Sequence, residues 1–329
     1  MKSLRLLFFS LLTFHFSLAQ EFFSDPLAHT FSIVARDSIT GEMGVAVQSH
    51  WFSVGSVVSW AEAGVGAIAT QSFVNPALGQ EGLELLKKGL PAQKVLDSLI
   101  GKDEGRDVRQ LAIVDAQGRT AAWTGSKCIP EAGNITEENF SVQANLMLNS
   151  QVWPAMAKAF KETNGRLAER MIAALEAGQA AGGDIRGKQS AAILVVKATA
   201  TGKLWEDREI DLRVEDNPEP IQELKRLLQV FRAYEYMNAG DLATEKKDMQ
   251  TAMRDYRKAE LLFPGNPEMK FWHAVTMVNN GMIREALPLF KEVFAADENW
   301  AILIPRLRKV GQLNCDDEIE AFILSQKTR

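Results

Sequence analysis

His29-Thr-Phe-Ser-Ile-Val-Ala-Arg-Asp37 and Gly44-Val-Ala-Val-Gln-Ser-His-Trp51 are the two stretches of sequence that decide the fold. Within the first, residues 31–35 alternate apolar with small side chains, and residues 43–47 repeat that pattern, which is typical of strands. The segment Asp37-Ser-Ile-Thr-Gly41 between them has the composition of a turn. Together these features predict a β-hairpin.

The elements that follow the hairpin predict two sheets covered by helices. Predicted strands and helices are, in chain order, strands 54–60 and 65–70, two helices that meet between Gly89 and Pro91, the hairpin 110–124, helices 152–160 and 167–177, and strands 189–197 and 210–214. Strands and helices thus come in groups and do not alternate singly. This order favours the α+β class, with a two-sheet sandwich, over a doubly wound parallel sheet.

The segment Asn217-Pro-Glu-Pro220 predicts the boundary to an all-helical module over residues 217–329. Ala252 and Tyr256 recur 34 residues later as Ala286 and Phe290. Thirty-four residues is the period of tetratricopeptide repeats, which pair helices through small side chains. The module is therefore predicted to be tetratricopeptide-like.

The first repeat departs from this spacing. Ala233 to Gly240 and Ala274 to Gly281 share a spacing of seven residues, which suggests that they are equivalent. Twelve residues then lead from Gly240 to Ala252, against five from Gly281 to Ala286. The difference predicts about two extra turns of helix in the first repeat.

The beginning of the chain has the pattern of a secretory signal. Lys2 and Arg5 precede the apolar run 6–18, and small residues at Ser17 and Ala19 mark a cleavage point. This predicts a signal peptide over residues 1–19, a leader over 20–29, the main domain over 30–216, and a periplasmic or secreted product. No Cys follows the cut and no second apolar run follows, so neither a lipid nor a membrane anchor is predicted.

The net charge bears on which macromolecules the chain could bind, and the cysteine content bears on disulfide formation. Without residues 1–19 the chain has 35 basic and 42 acidic side chains, a formal charge of −7. An acidic surface argues against a nucleic-acid partner, because phosphate contacts dominate that affinity. Export would permit a disulfide between Cys128 and Cys315, and the sequence leaves their pairing open.

Two glycine motifs predict no cofactor. The stretch Gly64-Val-Gly66-Ala-Ile-Ala69 fits the dinucleotide fingerprint in letters, but no helix follows it directly. The stretch 182–188 is similar to a phosphate-binding loop, but Gln189 replaces the magnesium-binding hydroxyl and a strand follows. Either it is a glycine connection, or it is a loop that brings Asp184 and Arg186 to the rim of a site.

Histidine placement argues against a metal site and against a serine triad. His29, His50 and His273 are the histidines after the signal, and none has a second His or Cys at ligand spacing. No Gly-x-Ser-x-Gly elbow surrounds a serine. Thus neither a zinc site nor a hydrolase of the Ser–His–Asp type is predicted.

Polar residues cluster between a predicted strand end and a helix start. Gln71, Ser72 and Asn75 could donate hydrogen bonds to a substrate or an oxyanion. The alternative for Ser72 and Asn75 is simple capping of the helix that follows. The residues alone leave both open.

Thr30 begins the first strand, directly after the leader. If the chain were cut before it, Thr30 would carry both a hydroxyl and a free α-amine. An α-amine has a pKa of about 8 and can act as the base for its own nucleophile. Otherwise Thr30 is an ordinary strand residue.

Several segments together resemble a known family. They are residues 29–37, 44–51, 61–67, 69–72, 123–125 with 128–130, and 183–184 with 187–190. In this order they look like domain-of-unknown-function family 1028, over about residues 29–216. That family is grouped with the Ntn (N-terminal nucleophile) hydrolases, so the resemblance implies a four-layer αββα sandwich. Ntn hydrolases cut amide bonds with an N-terminal Thr, Ser or Cys, and Thr30 matches that position.

The resemblance and the polar residues together predict a site on the main domain. Thr30 would be nucleophile and base, and Gln71, Ser72 and Asn75 would support the oxyanion. The side chains predicted to orient substrate or tune pKa values are Asp37, His50, Asp184, Arg186 and Gln189. The predicted function is that of an exported Ntn-type amidohydrolase acting on a small amide or peptide, without a metal or an organic cofactor.

A second hypothesis treats the main domain as a catalytically silent scaffold or ligand-binding module. Its helical repeats would then dock a protein partner, since such repeats form concave surfaces. A homodimer stays open, because Trp51, Phe52, Trp60 and Phe73 could form an apolar surface patch; the alternative is that they belong to the core.

Overall fold

The computed structural model describes residues 27–327, so the predicted signal peptide and residues 20–26 of the leader lie outside the described residues. The chain divides into two compact units, Met1–Lys225 and Arg226–Arg329. The division falls inside a long helix that begins at Pro220, a few residues after the boundary expected from the Pro-rich segment.

The first unit contains eleven described strands. They are β1 (Leu27–Ala28), β2 (Thr30–Arg36), β3 (Met43–Ser49), β4 (Ser59–Glu62), β5 (Gly66–Phe73), β6 (Arg109–Asp115), β7 (Thr120–Thr124), β8 (Gly133–Glu137), β9 (Phe140–Ala144), β10 (Ser190–Val196) and β11 (Arg208–Val214). Its helices are α1 (Gly55–Val58), α2 (Ala77–Lys87), α3 (Ala92–Lys102), α4 (Val152–Glu162), α5 (Leu167–Ala180) and α6 (Leu204–Asp207).

The strands form two antiparallel sheets. One sheet, here called sheet A, has the order β1-β5-β6-β7, with β4 also paired to β5. The other, sheet B, has the order β11-β10-β3-β2-β9-β8. The predicted first hairpin is therefore confirmed as β2 and β3, and it forms the centre of sheet B.

The two sheets pack face to face between two helical layers. Strands β2, β3 and β10 contact β4 and β5 of the opposite sheet; α2 and α3 cover sheet A, and α4 and α5 cover sheet B. This is a four-layer αββα sandwich, as predicted. Its innermost layer is built from small and β-branched side chains such as Val34, Val45, Val47, Ala69 and Ala112, all with no exposed surface. Small side chains allow the two sheets to approach closely.

Successive side chains along a strand point to opposite faces of the sheet, one toward the covering helices and the next toward the other sheet. In β5, Ile68 packs with the apolar side chains of α2 and α3, whereas Ala67 and Ala69 pack against sheet B. The same period of two places Thr30, Ser32 and Val34 on one face of β2. This parity decides which polar residues meet between the sheets.

Two details of the sequence prediction were wrong. Residues 54–60 were expected to form a strand, but 55–58 form the single helical turn α1, and the strand β4 begins at Ser59. Strands β8 and β9, which form a hairpin with its turn at Glu138 and Asn139, were not predicted, because these short strands mix polar and apolar residues without a clear strand pattern. In that turn Asn139 has φ +68°, the left-handed conformation that Asn tolerates better than most residues.

The second unit is helical throughout its described part. Its helices are α7 (Pro220–Glu245), which starts in the first unit, α8 (Met249–Leu262), α9 (Pro267–Asn279), α10 (Ile283–Ala296), α11 (Asn299–Lys309) and α12 (Asp317–Leu324). Helices α8 and α10 begin and end 34 residues apart. Ala252 and Ala286 are both fully buried, in accord with the 34-residue period.

The first repeat does contain extra helix, since α7 has 26 residues against 13 in α9, but the expected position of two extra turns between Gly240 and Ala252 was wrong. Gly240 lies inside α7 against the Tyr256 ring, whereas Gly281 lies in the turn after α9 with φ +78°. The residue 34 positions before Gly281 is Lys247, which has φ +61°. The constant period therefore pairs Gly281 with Lys247, and the shared seven-residue spacing matched residues that are not equivalent.

Candidate active site

Thr30 is the first residue of β2 and is completely buried. It lies opposite Ser49 in β3, and Ser49 lies opposite Ser190 in β10, so three hydroxyl side chains stand side by side at one end of sheet B. The Thr30 hydroxyl donates to the carbonyl of Ala28 at 2.7 Å. Thr30 is joined to His29 in this chain, so its nitrogen is an amide here.

The carbonyl oxygen of His29 accepts two side-chain hydrogen bonds. The Ser49 hydroxyl donates to it at 2.5 Å, and the Arg186 guanidinium donates at 2.8 Å. This oxygen belongs to the peptide bond that precedes Thr30. Two donors converging on one carbonyl, one of them charged, form the arrangement that stabilises a developing oxyanion.

Asp184 holds Arg186 in place. Both carboxylate oxygens of Asp184 accept from the Arg186 guanidinium, at 2.7 and 3.0 Å. The Asp184 side chain is fully buried, and it also accepts from the backbone amide of His50 at 3.3 Å. A two-pronged ion pair restrains the guanidinium plane, so Arg186 is presented to the His29 carbonyl in a fixed orientation.

The His29 side chain is buried between Asn145 and Phe73. Its Nδ1 lies 2.7 Å from Asn145 Oδ1, and its ring meets the Phe73 ring edge-on at 5.8 Å. Burial lowers the pKa of His29 and outweighs the raising effect of the Asn145 hydrogen bond. Because the Asn145 amide nitrogen already donates elsewhere, Oδ1 is the acceptor, and a neutral imidazole donates to it through Nδ1.

Gln71 centres a hydrogen-bond network between the sheets. Its Oε1 accepts from the Ser32 hydroxyl at 2.6 Å. Its Nε2 donates to the Thr30 carbonyl at 3.1 Å and to Gln110 Oε1 at 2.6 Å. Asn145 also donates to Gln110, at 2.9 Å. The network therefore positions the backbone of Thr30 from the side of sheet A. Because these bonds already use both ends of the Gln71 amide, Gln71 acts on the Thr30 backbone and not on an oxyanion.

Ser72 is strained and buried. It has φ +74° inside β5, a left-handed conformation that costs a non-glycine residue about 1–2 kcal/mol. Its hydroxyl is inaccessible and makes no hydrogen bond of normal geometry within residues 27–327, but it lies beside the Cys128 thiol, whose pKa it lowers against the larger raising effect of burial. Ser72 also pairs in register with Ala28, two residues before Thr30. Strain of this kind is concentrated at functional sites.

Cys128 lies in the same part of the unit. Its thiol donates to the carbonyl of Arg109, whose backbone pairs with Ser72. Burial raises the pKa of the Cys128 thiol, so the group stays protonated at neutral pH. A protonated, buried thiol is a packing group rather than a nucleophile.

The side chains of three predicted site residues are engaged elsewhere, although the backbone amide of Gln189 donates to the Ser49 carbonyl at 3.1 Å. Asp37 follows the far end of β2, about 23 Å along the strand from Thr30 at roughly 3.3 Å per residue; it accepts from the amides of Ile39 and Thr40 and pairs with Arg170 at 3.4 Å. Asn75 accepts from the Ala77 amide at the start of α2. Gln189 donates to Asp216. These three side chains serve a turn, a helix start and a strand connection, respectively, and the structure does not bring them to Thr30.

His50 is exposed, and only its backbone amide takes part in the site. Of the four aromatic residues considered for a homodimer, Phe52 is 61% exposed, while Trp51 and Trp60 pack against the core clusters. Phe73 contacts His29. The structure thus leaves one of the four as a large exposed side chain.

Sequence reasoning missed Ser49, Asn145, Gln110 and Gln143. The signal was present in the parity of the strands: Ser141, Gln143 and Asn145 alternate with apolar residues, as do Thr30, Ser32 and Val34. On β2 this face is polar near Thr30 and apolar from Val34 onward, whereas along β9 it is polar from Ser141 to Gln143 and continues to Asn145. Only the pairing of the strands shows that these polar faces meet.

No group of three or more His, Cys, Asp or Glu side chains in residues 27–327 could hold a metal ion. Within the same described part, none of the helices combines the length and the apolar character that a membrane crossing requires.

The geometry defines a class of domain: a four-layer αββα sandwich with a buried polar site where its central strand begins. The family described as "Family of unknown function (DUF1028)" matches residues 30–224, which is more than half of the chain. The chain belongs to this family.

Two solved structures show similarity to part of this chain. A crystal structure of a DUF1028 protein from Silicibacter pomeroyi is 31% identical, with a TM-score of 0.56, and the match covers 61% of this chain and 85% of that chain. Anbu, the ancestral β-subunit from Yersinia bercovieri, is 12% identical with a TM-score of 0.31, and the match covers 60% of this chain and 92% of that chain. No curated protein matches the chain.

Proposed function

We propose that this chain is an exported N-terminal-nucleophile-type amidohydrolase acting on a small amide or peptide, and that cleavage of its His29–Thr30 bond creates the nucleophile. The observation that carries the proposal is the His29 carbonyl oxygen, which accepts from Ser49 and Arg186. Donors aimed at the carbonyl directly before a threonine support reaction at that bond.

The cleavage step needs only Thr30 and water. The Thr30 hydroxyl turns from the Ala28 carbonyl and attacks the carbonyl carbon of His29, whose oxygen gains negative charge beside Ser49 and Arg186. The C–N bond then breaks, its nitrogen takes up the hydroxyl proton and becomes the free α-amine of Thr30, and His29 is left as an ester on Oγ. Water hydrolyses the ester and releases the carboxylate of His29.

In the mature chain the same groups act on a substrate. The α-amine of Thr30 takes the proton of its own hydroxyl, as an amine of pKa about 8 can do at neutral pH. The attacked substrate carbonyl occupies the position of the His29 carbonyl, between Ser49 and Arg186. Gln71 and Asn145 hold the Thr30 backbone in place.

The test is the mass and N-terminal residue of the chain after export from a bacterial host. We expect the chain to begin at Thr30, Thr30→Ser to be cut, and Thr30→Ala to stay uncut at this bond. Arg186→Ala should slow the cut by about 100-fold, in the range for loss of one oxyanion donor, while the exposed control Arg208→Ala should not. A panel of amino-acid nitroanilides then tests the mature chain, with Thr30→Ala as the blank.

A chain that keeps residues 20–29 and is unaffected by Thr30→Ala contradicts this proposal. That result would favour the second candidate, a silent scaffold whose helical repeats dock a protein. The burial of Thr30 beneath a leader strand supports this alternative, because no substrate reaches the hydroxyl while β1 is in place. Export itself stays a prediction from residues 1–19.

A further inference from the structure

The end of the leader forms a strand on the edge of sheet A. Leu27 and Ala28 pair antiparallel with Phe73 and Ser72 of β5. Strand β6 pairs with one edge of β5 over residues 66–72, and β4 takes the first half of the other edge, residues 66–69. Strand β1 therefore occupies the remaining half of that edge. Once residues before Thr30 are released, the backbone at Ser72 and Phe73 is open to another extended chain.

The space that the His29 ring occupies, here called the recess, lies next to this edge. It suits a planar side chain that donates a hydrogen bond. His29 is 3% exposed; its ring is bounded by Phe73 and donates to Asn145 Oδ1. Asn145 is itself completely buried and is held by Gln110, so its acceptor cannot turn away to water. An aliphatic side chain in this recess would leave the buried Asn145 Oδ1 without a hydrogen-bond donor, which disfavours its binding.

The end of the β5 edge is held in place by a side chain of the same sheet. The Arg109 guanidinium donates to the Phe73 carbonyl at 2.6 Å and pairs with Asp103 at 2.8 Å, and both side chains are about nine-tenths buried. This contact fixes the last residue of β5 independently of the leader. The edge is therefore expected to keep its conformation when β1 is absent.

The two residues before His29 meet different surroundings. Ala28 has no exposed surface, whereas Leu27 is 44% exposed. The position next to the His29 recess thus has room for a small side chain, and the one before it is open to solvent.

We propose that the leader is an internal copy of the substrate, and that the mature site takes an extended peptide with histidine on the acyl side of the cut bond and a small residue before it. This inference rests on the proposed function for the chemistry, and on β1 for the specificity. The peptide would add to β5 as β1 does, place its histidine ring between Phe73 and Asn145, and present its carbonyl to Ser49 and Arg186.

The experiment separates binding from hydrolysis. It uses the chain from Thr30 to Arg329, made with a preceding Met that the host removes; of the described strands only β1 lies before Thr30, so the other strands and all described helices stay complete. Binding of the acid acetyl-Leu-Ala-His is compared by calorimetry with acetyl-Leu-Ala-Leu and acetyl-Leu-Trp-His. Hydrolysis is measured with the aminomethylcoumarin amides of the same three peptides.

We expect the His acid with Ala before it to bind at least tenfold more tightly than either control. Equal binding of the three, or no binding, overturns the substrate proposal. If the acid binds selectively but no amide is hydrolysed, the proposed function fails while the peptide site stands. If amides are hydrolysed without this preference, the function stands and the peptide site fails.

The full-length chain provides a second measurement that does not depend on the truncated form. Amide hydrogen exchange of residues 70–76 is compared between Thr30→Ala, which keeps the leader attached, and the double variant that carries both Thr30→Ala and His29→Ala. We expect the exchange of Ser72 and Phe73 to speed up at least tenfold in the double variant, because the ring holds β1 against β5. Unchanged exchange would show that the recess does not recognise the imidazole. Leu27→Ala, at a half-exposed position and combined with Thr30→Ala, is the matched control.

Discussion

At the scale of single residues, the site depends on polar side chains placed where a sandwich normally has small apolar ones. Ala67 and Ala69 of β5 face sheet B, and two residues further on the same face carries Gln71. A buried amide without partners is costly, so Gln71 is tolerated because Ser32, Gln110 and the Thr30 carbonyl satisfy it. The same bonds fix the backbone of the candidate nucleophile.

Replacing Gln71 should therefore destabilise the first unit strongly. In Gln71→Leu, the hydroxyl of Ser32, the carbonyl of Thr30 and the amide oxygen of Gln110 each lose a partner. We expect the free energy of unfolding to fall by about 2–4 kcal/mol. Urea denaturation of the parent and the variant measures it.

The matched control is Gln80→Leu, an exposed glutamine on α2 that bonds to Glu84 at 3.3 Å. Surface changes of this kind stay within about 0.5 kcal/mol. Equal effects of the two substitutions would contradict the network as a source of stability.

At the scale of elements, the helical unit shows that one turn position recurs with the 34-residue period. Lys247 follows α7 with φ +61°, and Gly281 follows α9 with φ +78°. Both residues turn the chain into the next helix, α8 or α10. Gly adopts this conformation without strain, whereas Lys does not, because its Cβ crowds the neighbouring carbonyl.

Exchanging the residue types at these turns should move stability in opposite directions. We expect Lys247→Gly to raise the free energy of unfolding of the helical unit by about 1 kcal/mol and Gly281→Ala to lower it by about 1 kcal/mol. Thermal unfolding followed by circular dichroism measures both. Lys246→Gly, one residue earlier and without a positive φ, is the control, and a gain there equal to that of Lys247→Gly would refute the strain argument.

At the scale of the whole molecule, the two cysteines lie in different units and both are free thiols. Cys128 is buried, and Cys315 is partly exposed. Burial raises the pKa of both thiols, so alkylation of either is favoured at alkaline pH, where more thiolate forms. Access then decides which one reacts first.

We expect iodoacetamide at pH 8.5 to modify Cys315 of the native chain at least tenfold faster than Cys128, because only Cys315 is accessible without unfolding. In denaturant without reductant, both should react. Intact mass and peptide mapping measure the adducts. Failure of both thiols to react in denaturant until reductant is added would show that they pair.

Much of the site was accessible to sequence reasoning, and the rest depended on strand pairing. Thr30, Gln71 and Arg186 were predicted, and Gln71 and Arg186 donate to the carbonyls of Thr30 and His29, whereas the predicted Ser72 pairs in register with Ala28. Asp37 was predicted to orient substrate or tune a pKa value, yet the extended strand β2 carries it to the opposite end of the sheet from Thr30. Asn145 was missed because 115 residues separate it from Thr30, and its contact arises only when β9 pairs with β2.

The sequence by itself determined the class of the main domain, its strand and helix groups, and the 34-residue period of the helical unit. These follow from local propensity and periodicity, which are properties of neighbouring residues. Only the tertiary structure decided that Ser49 and Arg186 converge on the His29 carbonyl, that Asn145 meets the His29 ring, and that the leader pairs with β5. Those contacts join residues far apart in the chain, and their geometry is set by sheet register and packing between layers, which no local pattern encodes.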